Sequence, residues 1–354
     1  MELLFNKDSG TFQLGTNTLT KEKLIDYISS GMLESLILKN SINLLANKGE
    51  EEEEFDTIGR NILFYGVPGS GKSYFIDKNY GKERIIRVVF HPEYMNSDFI
   101  GQLLPTIEKS QDTKIITYEF VPGPFTNIIK QAYENPNHMH YLVIEEINRG
   151  NAPSIFGEIF QLLDRNEAGE SKYGILNYSM ANAIYGNKNH PIKIPSNLTI
   201  LATMNTSDQN IFTLDTAFQR RWEMRMIINN IDNADHKDMK IADTDITWKI
   251  FNKTINELIV NNNTALMSSE DKRLGPYFIT MSDLIRKDNI ANRFSEKVIK
   301  YLWDDVFKFS REKLFDSSFK SLDQVILFFI ESIGNNRFNI FNEEVREIMF
   351  NNKE

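Results

Sequence analysis

The chain has 354 residues, a hydrophobic fraction of 41%, a formal net charge of −9 and no cysteine. This length and apolar content predict a folded protein of about two domains, and the missing cysteine excludes disulfides and thiolate metal sites. The acidic charge argues against a dedicated DNA-reading domain within the chain, because nucleic-acid binders usually carry a basic face. A net acidic chain can still carry a local basic stripe, so the charge does not exclude DNA contact.

Residues 1–56 are predicted to be a short helical N-terminal segment, because apolar residues recur at helical spacing between positions 24 and 37. The acidic run 50–54 is interpreted as a solvated hinge. The first residues do not resemble a secretory signal, and no run reaches the roughly 18 apolar residues of a membrane span. We therefore expect a cytoplasmic protein without membrane contact.

Short apolar runs separated by helical segments characterise residues 57–228. Such runs predict a parallel sheet that helices cover on both faces. Residues 155–163 are predicted to form an amphipathic helix, and residues 167–195 an inserted loop or hairpin. The runs interpreted as strands are 62–65, 85–90, 141–144, 198–202 and 224–228.

Residues 229–354 lose the strand pattern. Apolar side chains there recur at helical spacing from Trp248 to Ile259, from Val298 to Phe307 and from Val325 to Phe329. The fold class is therefore α/β, with a smaller α-helical second domain that follows the sheet domain.

Residues 66–73 read Gly-Val-Pro-Gly-Ser-Gly-Lys-Ser and match the P-loop pattern between a predicted strand and a predicted helix. Glycines let backbone N–H groups approach phosphates, and the helix N-terminus favours an anion. Lys72 is expected to reach the β- and γ-phosphates, and Ser73 to ligate Mg²⁺. The predicted nucleotide-binding residues are Gly66, Pro68, Gly69, Ser70, Gly71, Lys72, Ser73 and Tyr74.

Two acids follow the third apolar run. Glu145 is expected to hold Mg²⁺ directly or through water, and Glu146 to orient and deprotonate the attacking water. The alternative is a pair of solvated carboxylates at a strand end. The Glu145 side chain is one methylene longer than that of aspartate, which leaves direct magnesium ligation open.

Polar residues near two later runs complete the candidate site. Asn205 ends the fourth run, where an amide can contact the γ-phosphate or the lytic water, although asparagine there is also a common turn residue. Arg220 and Arg221, shortly after Asp215, can neutralise transition-state charge, and a basic helix surface is the competing interpretation.

In this order the elements resemble the AAA+ superfamily and, more narrowly, the McrB-type motor subunits of modification-dependent restriction systems. The resemblance extends from about residue 61 to 278, with a weaker likeness through 327. The stretches that carry it are V-F-H-P-E-Y (89–94) with D-F (98–99), F-V-P-G-P-F (120–125), E-E-I-N-R-G-N (145–151), M-N-T-S-D (204–208), D-T-A-F-Q-R-R (215–221) and L-G-P-Y-F (274–278).

The resemblance implies a P-loop AAA+ domain at 57–228 and a helical lid at 229–354. It implies that Glu146 is the catalytic glutamate, that Asn205 is the sensor asparagine, and that Asp215, Arg220 and Arg221 face a neighbouring subunit's nucleotide. It further implies a homo-hexameric ring, an McrC-type nuclease partner, and hydrolysis of GTP in preference to ATP. The N-terminal segment is shorter than the DNA-reading domain of many relatives, so DNA contact is expected only in the assembled complex.

Two other functions remain open at this stage. One is a MoxR-like ATPase that remodels protein complexes without DNA. The other is a small-molecule kinase, against which the arginine pair and the helical lid argue.

Overall fold

The computed structural model describes residues 58–80, 83–110, 113–206, 212–261, 270–285 and 290–351, with the backbone of three strands before residue 21. The chain divides into two compact units, Met1–Thr57 and Ile58–Glu354, and each is described by itself.

The first unit contains a three-stranded antiparallel sheet of β1 (Leu3–Asn6), β2 (Thr11–Leu14) and β3 (Asn17–Thr20). The prediction of a helical segment does not hold over these residues. The sequence Thr-Phe-Gln-Leu of β2 alternates polar and apolar residues with glycines at 10 and 15 on either side, which favours short paired strands. The helices predicted between positions 24 and 37 lie outside the described residues.

A five-stranded parallel sheet forms the centre of the second unit, in the order β10-β4-β9-β8-β5. This confirms the predicted parallel sheet, and each apolar run became one strand. β4 and β9 are almost wholly buried, which explains their unbroken apolar sequences. The strands are β4 (Asn61–Gly66), β5 (Ile85–Val89), β8 (His140–Glu145), β9 (Leu198–Asn205) and β10 (Glu223–Met226).

Helices cover the sheet, and two of them differ from the prediction. The helix expected over 155–163 becomes a short α-helix and then a 3₁₀-helix, Gly157–Leu163, because Gly157 adopts a φ of 51°. The loop expected over 167–195 contains a helix that Asn177 caps. The α-helices are α1 (Lys72–Asn79), α2 (Asn96–Ile100), α3 (Pro124–Glu134), α4 (Ala152–Phe156), α5 (Tyr178–Tyr185) and α6 (Thr216–Gln219).

A long hairpin of β6 (Gly101–Ser110) and β7 (Thr113–Pro122) extends from this domain and was not predicted. Exposed apolar side chains lie on one of its faces, among them Leu103, Ile107 and Tyr118. Residues Ile116 to Phe120 of β7 do alternate apolar and polar side chains, the pattern of a two-faced strand, so the sequence did contain a signal for this element that the prediction left unused.

Helices dominate the C-terminal region, as predicted. Its apolar core, centred on Trp248, Phe251 and Phe294, is separate from the core of the sheet domain. Within the described residues, no helix is long and apolar enough to cross a membrane. The elements are α7 (Trp248–Asn261), α8 (Met281–Ile285), α9 (Ile290–Phe294), two π-helical turns (Ser295–Ile299 and Leu302–Val306), α10 (Leu322–Glu331) and α11 (Glu343–Asn351).

Candidate active site

The loop between β4 and α1 has the backbone shape that phosphate binding requires. Gly69 and Gly71 adopt left-handed backbone angles, with φ of 72° and 95°. A β-carbon at Gly69 would lie 2.6 Å from the backbone nitrogen of Phe278, so that position has no room for a side chain. Glycines at these positions let the backbone N–H groups turn towards a bound anion.

Two polar side chains of the loop suit an anionic ligand. Lys72 is buried at the start of α1, and its Nζ donates to the carbonyl oxygens of Gly66 and Val67, both at 3.1 Å. The Ser70 hydroxyl is buried and has no hydrogen-bond partner within the described residues. Because buried polar groups are normally paired, the unsatisfied hydroxyl beside an ammonium group fits a loop that receives phosphate oxygens.

Glu145 ends β8 with its carboxylate against the P-loop. Its Oε2 accepts hydrogen bonds from Ser73 Oγ at 3.0 Å and from Thr203 Oγ1 at 2.5 Å, and its Oε1 accepts from the Arg87 guanidinium at 2.5 Å. The longer glutamate side chain therefore reaches the Ser73 hydroxyl.

These donors fit a magnesium ion. Mg²⁺ prefers oxygen ligands, and it is usually held by one or two protein groups together with substrate phosphates. Ser73 and Glu145 supply a hydroxyl and a carboxylate beside the phosphate loop. The described residues hold no group of three or more His, Cys, Asp or Glu side chains that could bind a metal.

Glu146 and Asn205 meet at the carboxyl edge of the sheet. The Asn205 amide nitrogen lies 2.8 Å from each carboxylate oxygen of Glu146, and Arg149 Nε lies 3.5 Å from one of them. Glu146 adopts left-handed backbone angles, φ 55° and ψ 47°, which are uncommon for a residue with a side chain. The structure thus brings Ser73, Glu145, Glu146 and Asn205 into one cluster.

The arginine pair lies away from this cluster. Asp215 caps α6 by accepting from the Phe218 N–H at 2.7 Å. Arg220 and Arg221 precede β10, whose first residue pairs with Ile62 near the start of β4, whereas the P-loop follows the end of β4. The six residues of β4 span about 17 Å from its first to its last residue, at about 3.3 Å per residue. The arginines therefore lie at the opposite edge of the sheet from their own P-loop.

The two arginines have different environments. The Arg221 guanidinium bonds Asp164 at 2.8 Å and stacks on the Phe160 ring, with 4.0 Å between its central carbon and the ring centroid. Its side chain is 11% exposed. Arg220 is exposed, and its guanidinium makes no hydrogen bond or ion pair within the described part of the chain. Arg221 is therefore fixed within this chain, whereas Arg220 is exposed to solvent.

Sequence reasoning missed three residues of the cluster. Arg87 pairs with Glu145, Arg149 approaches Glu146, and the Thr203 hydroxyl bonds Glu145. Arg87 had a detectable signal, because it is the lone charge in the apolar strand Ile-Ile-Arg-Val-Val. Thr203 gave none, since only strand pairing shows what it faces. Arg149 approaches Glu146 through the 3₁₀ turn Ile147–Arg149, which places it three residues farther along the chain.

The helical region contacts the P-loop through residues 274–278. The N–H of Gly275 donates to the Pro68 carbonyl at 3.0 Å, and the N–H of Tyr277 donates to the Gly69 carbonyl at 2.8 Å. A β-carbon at Gly275 would lie 2.2 Å from the carbonyl carbon of Gly69. Trp248 holds the segment from the other side by donating to the Pro276 carbonyl at 2.8 Å.

An open cavity of about 580 Å³ lies beside the P-loop. Tyr74, which was predicted to bind nucleotide, has its ring 5.6 Å from that of Tyr277 at this cavity. Burial raises the pKa of the Tyr277 hydroxyl, with further contributions from Tyr74 and Asp235. Aromatic faces and a carboxylate next to a phosphate loop are suited to a nucleotide base. Other residues that line the cavity are Lys78, Asn230, Asn233 and Pro276.

Comparison with known proteins agrees with this site. A family model described as an AAA domain of the dynein-related subfamily matches residues 61–222. The Type II restriction enzyme BsuMI component YdiS of Bacillus subtilis is 38% identical over 286 residues, covering 71% of this chain and 80% of that protein. The Type IV methyl-directed restriction enzyme EcoKMcrB subunit of Escherichia coli is 31% identical over 173 residues, covering 47% of this chain and 35% of that protein. The chain belongs to the McrB-type family of AAA+ proteins.

This McrB-type chain is an AAA+ nucleoside triphosphatase related to components of restriction systems. The matched region, residues 61–222, begins with β4 and ends at Trp222. It therefore contains the P-loop, both acids, the sensor strand and the arginine pair. AAA+ proteins act on a nucleoside triphosphate, typically with magnesium, which is the ligand set that the loop and the Ser73–Glu145 pair fit.

Proposed function

We propose that this chain is the motor subunit of a DNA restriction complex, which hydrolyses GTP, or ATP, with Mg²⁺ in a homo-hexameric ring. The observation that carries the proposal is the contact of Ser73, Glu145, Glu146 and Asn205 at the end of the P-loop. Both relatives are described as parts of restriction enzymes. An McrC-type nuclease subunit is the proposed partner, with DNA contact in the assembled complex.

In the proposed reaction, Lys72 exchanges its two carbonyl contacts for the β- and γ-phosphate oxygens. Ser73 and Glu145 would hold the metal ion, which would supply positive charge beside the phosphates. Glu146 accepts a proton from water as the water oxygen bonds to the γ-phosphorus. The bond from that phosphorus to the β–γ bridging oxygen breaks, and the diphosphate leaves. Asn205 orients the Glu146 carboxylate.

The ring explains why the arginine pair lies far from its own P-loop. Arg220 is exposed at the opposite edge of the sheet, so we propose that it reaches the γ-phosphate bound by a neighbouring copy. Arg221, held by Asp164 and Phe160, supports the segment that carries it. A positioned arginine can contribute roughly 10³ to 10⁵ in rate to phosphoryl transfer.

The nucleotide base is proposed to occupy the cavity beside Tyr277. Guanine presents two adjacent donors, N1–H and the N2 amino group, and a carboxylate accepts both. Asp235, which lines the cavity, is a suitable acceptor for them. This supports GTP, whereas adenine offers an acceptor at N1 that a carboxylate would repel.

The division of the chain at residues 56 and 228 is part of the proposal. The separate apolar cores, one built from residues 62–222 and the other from residues 231–349, support a sheet domain and a lid domain. The segment 274–278 supports a lid that responds to nucleotide, because it bonds the P-loop directly.

Steady-state hydrolysis of GTP and ATP by the purified chain tests the proposal, with and without its nuclease subunit. We expect Glu146→Gln to keep nucleotide binding and to lose at least a hundredfold in turnover. Glu158→Gln, an exposed acid outside the cluster, is the matched control and should hydrolyse normally. Unchanged turnover in Glu146→Gln would contradict the mechanism.

A MoxR-like remodelling ATPase is the second candidate, and the formal net charge of −9 favours it. The two functions differ in their response to DNA. Hydrolysis that no DNA stimulates, with the nuclease subunit present, would support the remodelling function and contradict the restriction motor.

A further inference from the structure

We infer that Thr203 is a positioning residue that orients both acids of the site. The inference rests on the proposed hydrolysis. Thr203 lies on β9, two residues before Asn205, and is 1% exposed. Its Oγ1 lies 2.5 Å from Glu145 Oε2 and 3.1 Å from the backbone nitrogen of Glu146. One hydroxyl therefore connects the metal-binding acid to the catalytic acid.

The chemistry of the partners fixes the direction of both hydrogen bonds. An ionised carboxylate only accepts and a backbone N–H only donates, whereas a hydroxyl can donate one hydrogen bond and accept others. Thr203 must therefore donate to Glu145 and accept from Glu146. Both bonds are satisfied at once by a single rotamer of the hydroxyl, so neither acid can turn without losing its contact.

Strand pairing places the hydroxyl between the acids. β8 and β9 are parallel, and Ile144 pairs with Ala202, so Thr203 follows directly beside Glu145. The three residues before it, Ile200 to Ala202, are apolar and wholly buried. Valine has nearly the same shape as threonine and suits a buried strand. The hydroxyl is thus the part of Thr203 that packing does not explain.

The bond to Glu146 has a consequence for its backbone. Glu146 adopts the left-handed conformation, which is sterically unfavourable for a residue with a β-carbon and persists only where neighbouring contacts hold it. The hydrogen bond from its N–H to Thr203 is one such contact. The same conformation accompanies the approach of the Glu146 carboxylate to Asn205. Without the hydroxyl, we expect Glu146 to relax away from the position of the lytic water.

The bond to Glu145 acts on the metal site. Glu145 has partners on both of its oxygens, because Arg87 bonds Oε1 while Ser73 and Thr203 bond Oε2. The Thr203 hydroxyl draws Oε2 to the Ser73 side, where the ion would bind. Its loss would leave the carboxylate biased towards Arg87 and weaken magnesium binding, since outer groups that orient a metal ligand commonly contribute 10- to 100-fold in affinity or activity.

Two substitutions of Thr203 distinguish the effect of its hydroxyl from the effect of its packing volume. Thr203→Val keeps the shape and removes the hydroxyl, whereas Thr203→Ser keeps the hydroxyl and removes a methyl group. We expect kcat for GTP to fall about 10- to 100-fold in Thr203→Val, with KM for GTP at saturating Mg²⁺ within about threefold of the parent. Half-saturation by Mg²⁺ should move to higher concentration. Thr203→Ser should stay within about threefold of the parent in all three quantities.

The measurements distinguish the possible failures. Binding of a fluorescent guanosine diphosphate without Mg²⁺ shows that each variant is folded with its P-loop intact, and Thr203→Ala replaces the valine variant if that one does not fold. Parent-like kcat and Mg²⁺ dependence in Thr203→Val would overturn the inference, as would equal losses in the valine and serine variants. If the parent itself does not hydrolyse nucleotide while Glu146→Gln binds it equally well, the proposed function fails instead.

Discussion

Arg220 and Arg221, neighbours at one edge of the sheet, are expected to have separable roles. Arg220 is exposed, whereas Arg221 bonds Asp164 and stacks on Phe160. We expect Arg220→Ala to lower hydrolysis by roughly 10³ without changing the thermal unfolding temperature. Arg221→Ala should lower that temperature, because it leaves Asp164 without a partner in a part-buried network, at a cost of about 1–3 kcal/mol.

Calorimetry and GTP hydrolysis on the same samples test this difference. The reverse pattern, with stability lost in Arg220→Ala and activity alone lost in Arg221→Ala, would exchange the two roles. Arg225→Ala is a suitable control, since its side chain is part-exposed and lies on β10, the strand that follows the arginine pair.

Asp283 in the helical region predicts a pH-dependent stability. Burial tends to raise its pKa, but hydrogen bonds from Thr280 and Lys297 outweigh this and lower the pKa from 3.8 to about 2. A carboxyl whose pKa is depressed in the folded state stabilises it above the unfolded pKa and loses that contribution as pH falls. Stability should therefore decline between about pH 4 and pH 2.

Asp283→Asn removes this titration. The unfolding temperature of the variant should lie below that of the parent at pH 6 and approach it at pH 2, and circular dichroism over that range measures the difference. Asp304→Asn, at an exposed ion pair with Lys300, is the control. A constant difference between parent and Asp283→Asn at all pH values would contradict the prediction.

At the scale of elements, the segment 274–278 joins the lid to the P-loop. Gly275→Ala would place a β-carbon 2.2 Å from Gly69, so the segment must move and break its bonds to Pro68 and Gly69. We expect nucleotide affinity to fall at least tenfold, as measured by fluorescent-nucleotide titration.

Gly186→Ala is the matched control for that substitution. Gly186 also has a left-handed φ, 64°, but no atom lies within 4 Å of its added β-carbon. Alanine there should cost about 1–2 kcal/mol in backbone strain and leave nucleotide affinity unchanged. Equal affinity losses in both variants would show that the lid contact does not matter for binding.

Some strands and helices could be predicted from sequence patterns, and others could not. Buried strands such as β4 and β9 were evident in the sequence because both of their faces are covered, so most of their residues are apolar. The β6–β7 hairpin was missed although Ile116 to Phe120 alternate apolar and polar residues, because Pro105 interrupts the partner strand, where proline is unfavourable. The helix α5 was hidden in a polar stretch, and its start depends on the Asn177 cap rather than on apolar periodicity.

For the whole molecule, a site shared between copies makes a prediction that no single chain can satisfy. Glu146→Gln lacks the catalytic carboxylate but keeps Arg220, and Arg220→Ala keeps the carboxylate but lacks the arginine. Mixed in one ring, they form some sites with an intact Glu146 and a neighbour's intact Arg220. Hydrolysis should therefore reappear on mixing two inactive proteins.

The mixing experiment is measured as GTP turnover against the ratio of the two variants, with total protein constant. Turnover should peak at an intermediate ratio. A double variant, Glu146→Gln with Arg220→Ala, mixed with either single variant controls for exchange alone. If a mass measurement shows that the rings contain both variants and GTP hydrolysis still does not recover, the arginine does not act between copies.

The sequence by itself determined the positions of the five parallel strands along the chain, the phosphate loop, and the polar residues Glu145, Glu146 and Asn205 at the ends of two of those strands. Each of these depends on residue type at fixed local spacing: apolar runs, glycines before a lysine, polar residues directly after a strand. Local spacing also identified the arginine pair, but not that Arg220 is exposed while Arg221 is bonded to Asp164.

Only the tertiary structure decided the relations that depend on neighbouring strands. Parallel pairing of β8 with β9 brings Thr203 and Asn205 to the two acids, although nearly sixty residues separate them in sequence. Pairing of β10 with β4 places Arg220 at the edge opposite the P-loop. These contacts follow from which strands lie side by side and in what register, and no local pattern encodes that choice.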